Sequence, residues 1–376
     1  MANHGKYNVR PITQRGYAML GIIAAVGIAT TAVVVTSLSA TAVRNEQSRK
    51  DSNALAVAKQ ALIASAASSN TRPGSLPCPD IDNDGISDVQ NISVVDSPCA
   101  ARIGRLPWQT LGLADLRDAS GERLWYAISL NFQDTSANQI NASANGQLTL
   151  TDNTQTTTGV VAIVLAPGKP VSNQSRDVTR VNNYEHYLES YAAGQLTVNV
   201  AGQDAAHNDQ ILAITPADIF SLVQRRVIKE AQLSLQNYYA NASTLNTLPY
   251  PATVENFDGN TTYSYPMTPT NSVVPSYSGY LPSESNQALP AWFAANRWNR
   301  VLQYTVDSNC VQSGNPAQCG SASFSVQSGS TVVGSSPTSG TMAMLAFPGV
   351  NTAYSNAATT VISASVQAQS PSVQTP

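Results

Sequence analysis

The sequence GVVAIVLAPG at residues 159–168 returns as GTMAMLAFPG at residues 340–349. Both segments are apolar and are bounded by glycine, and each ends in Pro-Gly. Short segments of this kind, rich in Val, Thr, Leu and Tyr and separated by Gly, Asn and Pro, favour antiparallel strands joined by loops. The pair is the last of four matches that relate two parts of the chain.

Three further pairs precede it in the same order, at offsets of 172 to 183 residues. They are LPCP at 76–79 with LPYP at 248–251, LPW at 106–108 with LPAW at 289–292, and LWYAI at 124–128 with LQYTV at 302–306. A helical pattern at residues 54–69 precedes LPCP, and another at residues 218–241 precedes LPYP. Four matches in one order predict an internal duplication, with two copies of a helix followed by a sheet.

The second helix is predicted over residues 216–241, where Thr215 and Pro216 have the residue types of an N-cap and a first helical position. Charged residues interrupt this helix, so it cannot cross a membrane and is expected to pack on its own sheet. Its predicted apolar face comprises Ile219, Phe220, Val223, Val227, Leu233 and Leu235.

The N-terminal region has a different pattern. No charged side chain occurs in residues 17–43, a run long enough to span a bilayer, whereas Lys6, Arg10 and Arg15 precede it. Residues 44–69 lack Gly and Pro and continue the helical pattern. We therefore predict an α+β fold with a long N-terminal membrane-spanning helix followed by two tandem helix-plus-antiparallel-sheet heads.

The predicted division has five parts, and it places the heads on the periplasmic or outer side of a membrane. Besides a helix that stays on the protein, a plain single-span anchor and a secretory signal cleaved after residues 40–42 also fit the sequence. The parts are a leader at 1–16, a hydrophobic then amphipathic helix at 17–70, a first head at 71–214, a second head at 215–362 and a disordered tail at 363–376.

The sequence QRGYAML at residues 14–20 resembles the signal of type IV prepilins and type II secretion pseudopilins. The resemblance implies pilin-like heads, and cleavage between Gly16 and Tyr17 by a prepilin peptidase, with methylation of the new N-terminus. It also implies that the hydrophobic helix binds other pilins or pseudopilins. The protein would first lie in the inner membrane with a periplasmic head, and then in a pilus or pseudopilus at the cell surface.

One position departs from this resemblance. The family has a glutamate at the fifth mature position, where this chain has Gly21. In the family that carboxylate pairs with the N-terminal amine of a neighbouring subunit, and an amine buried without a partner is costly. The departure favours a minor or tip subunit with a structural and assembly role over a repeating shaft subunit.

The four cysteines are expected to form disulfides in an oxidising compartment, with near-neighbour pairing of Cys78 with Cys99 and of Cys310 with Cys319. Sequence alone allows three connectivities. A zinc site is the competing interpretation, but neither pair has CxxC spacing and no histidine completes a ligand set.

Between the first two cysteines, the sequence DIDNDGISD at residues 80–88 matches the early part of an EF-hand loop. We predict a structural calcium site, with an acidic turn that binds no metal as the alternative. Residue 91 is Asn and not the usual bidentate glutamate, and Asp96 is a candidate for an extra ligand. The predicted ligands are the carboxylates of Asp80, Asp82, Asp84 and Asp88 and the carbonyl oxygen of Ile86.

Other functional classes find little support. The chain has 20 Lys and Arg without a basic cluster and a net charge of −3, so nucleic acid is not expected as a partner. Three histidines and the absence of the common catalytic motifs argue against an enzyme. Aromatic residues in segments 104–108 and 121–126 are predicted to be core, and Arg105 and Arg123 to form ion pairs.

The competing function is a calcium-stabilised, membrane-anchored surface-binding or adhesive module.

Overall fold

A computed structural model describes the backbone of residues 15–367 with internal gaps, and side chains from residue 42 onward. The gaps are 153–154, 172–173, 192–195, 201–205, 242–243, 245, 253–276, 283–287, 313, 321–324, 329–330, 336–340 and 348–361, and the side chains of 278, 325–328, 331–335, 341, 346 and 362–367 are also outside the description.

Three α-helices and thirteen strands lie in the described residues. The helices are α1 (Arg15–Ser68), α2 (Pro216–Ala240) and α3 (Ala291–Ala295). The strands are β1 (Ile103–Arg105), β2 (Trp125–Ile128), β3 (Leu148–Thr151), β4 (Thr156–Val160), β5 (Ala162–Ala166), β6 (Thr197–Asn199), β7 (Gln210–Ile214), β8 (Ser278–Tyr280), β9 (Gln303–Val306), β10 (Ser325–Ser328), β11 (Thr331–Ser335), β12 (Thr341–Phe347) and β13 (Ile362–Gln367).

The prediction of a membrane-spanning helix is wrong. No helix in the described part of the chain is long and apolar enough to cross a bilayer. Where the side chains of α1 are described, charged residues interrupt its surface from Arg44 to Asp51, and charges are expensive in a hydrocarbon layer. The predicted cleavage junction, Gly16 and Tyr17, lies outside the residues whose side chains are described.

The chain divides into two compact units, Met1–Asn53 and Ala54–Pro376. The second unit contains the last part of α1, whose buried residues include Ala58, Leu62 and Ala66. Within this unit Lys59 donates to the carbonyl oxygen of Ala213 and forms a 2.9 Å ion pair with Asp218 at the start of α2. The end of α1 is therefore part of the folded body.

The predicted start of α2 is confirmed. Thr215 accepts a hydrogen bond from the backbone N–H of Asp218, and the Asp218 side chain accepts one from the backbone N–H of Thr215. Pro216 occupies the first turn. This capping box satisfies two donors that the helix itself leaves unpaired.

The described residues of the body form two four-stranded antiparallel sheets and two smaller sheets. The first sheet has the order β1-β2-β5-β7, and the second has the order β8-β9-β12-β13. A three-stranded sheet, β4-β3-β6, includes a parallel pair between β3 and β6, which differs from the antiparallel expectation. β10 and β11 form a separate hairpin.

The two four-stranded sheets repeat the same local contacts. In the first, Gly104 pairs with Tyr126, and the Tyr126 hydroxyl donates to the carbonyl oxygen of Pro77. In the second, Gly279 pairs with Tyr304, whose hydroxyl donates to the carbonyl oxygen of Pro249. Both prolines follow the leucine of the LP segments noted above.

As expected, α2 packs on β12 and β13 of its own sheet. The two four-stranded sheets also share one hydrophobic core, which was not expected. The Phe220 ring on α2 lies 6.1 Å from the Phe132 ring in the first copy and 6.1 Å from the Trp298 ring in the second. Tyr126 and Tyr304 belong to the same buried cluster. The predicted boundaries of the two heads stay a prediction.

The C-terminal region also departs from expectation. Residues 363–376 were expected to form a disordered tail, but Ile362–Gln367 forms β13 and pairs with β12. Apolar residues alternate along it at 362, 364 and 366. Such a short alternation is a weak signal in the sequence. The strand forms because the free edge of β12 supplies the hydrogen-bonding groups that pair with it. Residues 368–376 lie outside the description.

Candidate functional site

The acidic loop predicted to bind calcium brings three of its carboxylates together. Oxygen atoms of Asp80, Asp82 and Asp88 all lie within 4.8 Å of one another. Asp80 is fully buried, whereas Asp82 is exposed and Asp88 is half-buried. Hard cations such as calcium prefer carboxylate and carbonyl oxygens, so the donor set suits such an ion.

Asp80 is held in place from two directions. Its backbone pairs with Arg105 in β1, where the Arg105 N–H donates to the Asp80 carbonyl oxygen over 2.6 Å. Its carboxylate accepts hydrogen bonds from the backbone N–H groups of Asn83 and Gly85, at 2.5 and 2.7 Å. The edge of the first sheet thus positions the first carboxylate of the loop.

The remainder of the loop turns tightly around these bonds. Gly85 has φ of +92°, in the left-handed region that favours glycine, and a Cβ there would lie 2.6 Å from the Trp108 ring. The backbone N–H of Ile81 donates to the Asp88 carboxylate over 2.7 Å. The loop therefore closes on itself, with its first and ninth positions on the same side.

Two residues outside the loop form its support. Gln109 donates from its side chain to the Asp84 carbonyl oxygen over 2.6 Å. Arg123 donates to the Asn83 side-chain oxygen over 3.0 Å, and its guanidinium also bonds Asp115 over 2.8 Å. The predicted ion pair of Arg123 is confirmed, and the segments that contain Trp108 and Arg123 support the loop.

Burial raises the pKa of the Asp80 carboxyl, and the nearby charges of Asp84 and Asp82 raise it further. The hydrogen bonds from the N–H groups of Gly85 and Asn83 act in the opposite direction. A negative charge in this position is disfavoured unless a proton or a cation compensates it. The site can therefore bind either one.

Not every predicted ligand joins the cluster. The Asp84 carboxylate accepts from the backbone N–H of Ile86 over 2.7 Å and is not in the group of three. Ile86 remains in the loop with an exposed side chain. Asp96, the candidate extra ligand, is also outside the group of three. Its carboxylate accepts a hydrogen bond from the backbone N–H of Ser136 and lies 3.9 Å from the Arg72 guanidinium.

Both predicted disulfides are present. Cys78 bonds Cys99, with Cα atoms 5.2 Å apart, and closes the segment that contains the acidic loop. Cys310 bonds Cys319, with Cα atoms 4.7 Å apart. The near-neighbour connectivity is therefore confirmed.

Among the described residues, no carboxylate forms the predicted ion pair with Arg105. Its guanidinium is stacked between the Trp125 and Tyr187 rings, 4.0 and 4.2 Å from the ring centres, and it donates to the carbonyl oxygens of Arg123 and Val181. Burial lowers its pKa to about 10. The guanidinium remains charged at neutral pH, and the aromatic faces and carbonyl oxygens stabilise that charge.

A pair of carboxylates outside the acidic loop, Asp209 and Glu189, was not predicted from the sequence. The Asp209 carboxylate accepts from the backbone N–H groups of Glu189 and Ser190, at 2.8 and 3.0 Å. The Glu189 carboxylate in turn accepts from the N–H groups of Asn208 and Asp209. The two residues are 20 positions apart in segments without a regular pattern, so the sequence carries no signal of the pair.

No protein-family model, curated protein or solved structure matches the chain. The pilin resemblance therefore depends only on the sequence features quoted above, and it stays a prediction.

Proposed function

We propose that the protein is a minor or tip subunit of a type IV pilus or type II secretion pseudopilus, with a structural and assembly role. One observation supports this proposal above others. α1 ends within the body that carries the antiparallel sheets, where its residues Ala58, Leu62 and Ala66 are buried. A long N-terminal helix that ends within a sheet-containing head is the arrangement that the pilin resemblance implies.

The proposal includes a place and a set of partners. The two disulfides suit an oxidising compartment such as the periplasm or the cell surface. The partners would be other pilins or pseudopilins, bound through the N-terminal helix, and a prepilin peptidase. The absence of the usual glutamate at Gly21 supports a minor or tip position over a shaft position.

Processing after Gly16 tests the proposal. The full chain is produced with and without a prepilin peptidase, and its intact mass is measured. We expect the loss of residues 1–16, a new N-terminus at Tyr17, and its methylation. Gly16→Val should prevent cleavage because the resemblance places the cut directly after this glycine, whereas Gly21→Val should be cleaved as usual.

A chain that keeps its full mass, while a known prepilin is cleaved by the same enzyme, would contradict the proposal. So would a mature N-terminus at Val43, since the helix needed for assembly would then be lost.

We also propose that the acidic loop binds calcium and that this ion stabilises the body. The burial of the Asp80 carboxylate beside Asp82 and Asp88 supports this proposal, because a cation would compensate a charge that the protein otherwise disfavours. Calcium would contribute structural stability through these carboxylates. The same ion would suit the competing function, a surface-binding or adhesive module.

Thermal unfolding of the full chain tests calcium binding. Calcium should raise the melting temperature of the wild type, because a ligand that binds only the native state stabilises it. Asp82→Asn should remove most of that increase, whereas Asp177→Asn, at an exposed carboxylate paired with Arg180, should keep it. An unchanged melting temperature in chelator and in calcium would show that the loop is only a turn.

A further inference from the structure

The disulfide-closed loop ends in an exposed apolar tip, residues 91–96. Ile92 and Val95 are each 94% exposed, and Val94 is 52% exposed. Ile81 and Ile86, in the acidic part of the same loop, are also exposed. Single exposed hydrophobic residues are common on protein surfaces, but a contiguous group is typical of an interaction site.

The tip is held in a defined shape. The backbone N–H of Asn91 donates to the Ser97 hydroxyl over 3.0 Å, and the Asn91 side chain accepts from the N–H of Ser93 over 3.0 Å. Asp96 attaches the tip to the body through the backbone N–H of Ser136. A preordered loop loses little conformational entropy when it binds, which favours binding.

The charge of this loop restricts what it can bind. Residues 79–98 contain five aspartates and no lysine, arginine, histidine or glutamate. A partner surface should therefore combine apolar side chains with positive charge. An anionic lipid surface would be repelled.

The outer face of α2 has this composition. Leu222, Arg225, Lys229 and Leu233 follow one another at helical spacing and are all exposed. Leu233 was expected to be in the core but is 45% exposed, and Leu222 is 43% exposed. Among the described residues, neither Arg225 nor Lys229 has a carboxylate within 4.0 Å.

We propose that the Cys78–Cys99 loop of one copy binds the outer face of α2 in a second copy. Aliphatic side chains of the loop would contact the two leucines. The exposed carboxylate of Asp84, which is outside the group of three, would lie beside Arg225 and Lys229. Contacts between two loops, or between two α2 faces, would bring like charges together. The contact is therefore between unlike surfaces, and each copy keeps one free loop and one free helix face.

A contact between two different surfaces adds copies in one direction. The assembly is a closed ring or an open filament, depending on the rotation that relates neighbouring copies. It involves only residues of the Ala54–Pro376 unit, so it does not depend on cleavage after Gly16. The proposed function and this contact can thus fail separately.

Three variants test the contact in sedimentation experiments on the full chain, in neutral detergent that shields residues 17–43. The loop variant is Ile92→Asn with Val95→Asn, and the helix variant is Leu222→Asn with Leu233→Asn. Val178→Asn is the matched control, since Val178 is 90% exposed and lies in neither surface. All five positions are exposed, so we expect the loop variant and the control to keep the wild-type melting temperature. The helix variant should melt slightly lower, because Asn is a poorer helix former than Leu.

The average mass of the wild type and of the control should rise with protein concentration. The loop variant and the helix variant should each associate more weakly than the wild type, by about tenfold or more. The reason is that buried aliphatic anchors contribute most of the binding energy. A mixture of the two variants should produce dimers but no larger species, because only one intact contact can form. Added salt should weaken the wild-type contact.

A chemical cross-link provides a measurement that does not depend on the variants. Carbodiimide joins ammonium and carboxylate groups that touch, so a mixture of isotopically light and heavy chains should give links from Lys229 to loop aspartates of the other copy. Three results would overturn the proposal: a mass that is independent of concentration, a mixture that forms no dimers, or loop-dependent binding to anionic vesicles without self-association.

Discussion

Asp209 shows how a carboxyl group responds to its surroundings in this fold. It is 7% exposed and lies beside the Glu189 carboxylate. Burial raises the pKa of Asp209 to about 8, with the charge of Glu189 as the next cause, and the hydrogen bonds from the N–H groups of Ser190 and Glu189 oppose the rise. The folded protein therefore holds a proton here that the unfolded chain releases.

This proton makes stability dependent on pH. Between the ordinary value of 3.8 and about 8 the folded state binds more protons than the unfolded state, so the free energy of unfolding should fall as pH rises through that window. The loss is at most about 1.4 kcal/mol for each pH unit. Stability from this group is fully present below the unfolded pKa and is lost toward pH 8.

Asp209→Asn should remove this dependence. An amide oxygen can still accept from the N–H groups of Glu189 and Ser190, and the amide does not titrate. We expect a flatter curve of unfolding free energy against pH, measured by denaturant unfolding, and a variant more stable than the wild type at pH 8. The exposed Asp177→Asn should follow the wild-type slope. An equal slope in Asp209→Asn and the wild type would contradict the expectation.

At the scale of elements, local signals identified α2 well. Its capping residues are adjacent in sequence, and its buried face repeats at helical spacing, so neither depends on the rest of the fold. Leu233 was assigned to the wrong side because periodicity does not show how wide a helix face the partner covers. Short edge strands such as β1, β8 and β13 were missed, since three to six residues carry little periodic signal.

The repeated segments correspond to matching positions in the two sheets. Gly104 pairs with Tyr126, as Gly279 pairs with Tyr304. A Cβ on Gly104 would lie 2.4 Å from the carbonyl oxygen of Asp80, and one on Gly279 would lie 2.5 Å from that of Ala252. Close backbone approach therefore requires glycine in both copies, although the two glycines were not among the matches found in the sequence.

In the whole molecule, α2 contacts residues of both copies. Phe220 is fully buried between Phe132 of the first copy and Trp298 of the second. Arg226 of the same helix donates to the carbonyl oxygens of Ala67 and Ser69 at the end of α1. Contacts on both sides of one helix favour unfolding of the two sheets as one unit.

Phe220→Ala tests that coupling. The lost contacts and the cavity should lower the free energy of unfolding by roughly 3–5 kcal/mol. Because the ring lies in the cluster that buries residues of both sheets, hydrogen exchange at amides of β5 and of β12 should accelerate together and by the same factor. Leu222→Ala, at an exposed position of the same helix, should leave both rates near those of the wild type. Acceleration in β12 alone would show that the sheets unfold separately.

Features that depend on neighbouring residues or on repetition were predictable from the sequence: the start of α2, the acidic loop and the matching segments. The sequence favoured the near-neighbour disulfides but allowed three connectivities. Which groups meet across long separations along the chain depends on the fold. The fold places Arg105 between two aromatic rings, joins Asp209 to Glu189, turns Leu233 outward and packs Phe220 of α2 against Phe132 of the first copy and Trp298 of the second. The physical reason is that burial and charge pairing depend on distances through space, and spacing along the chain does not record those distances.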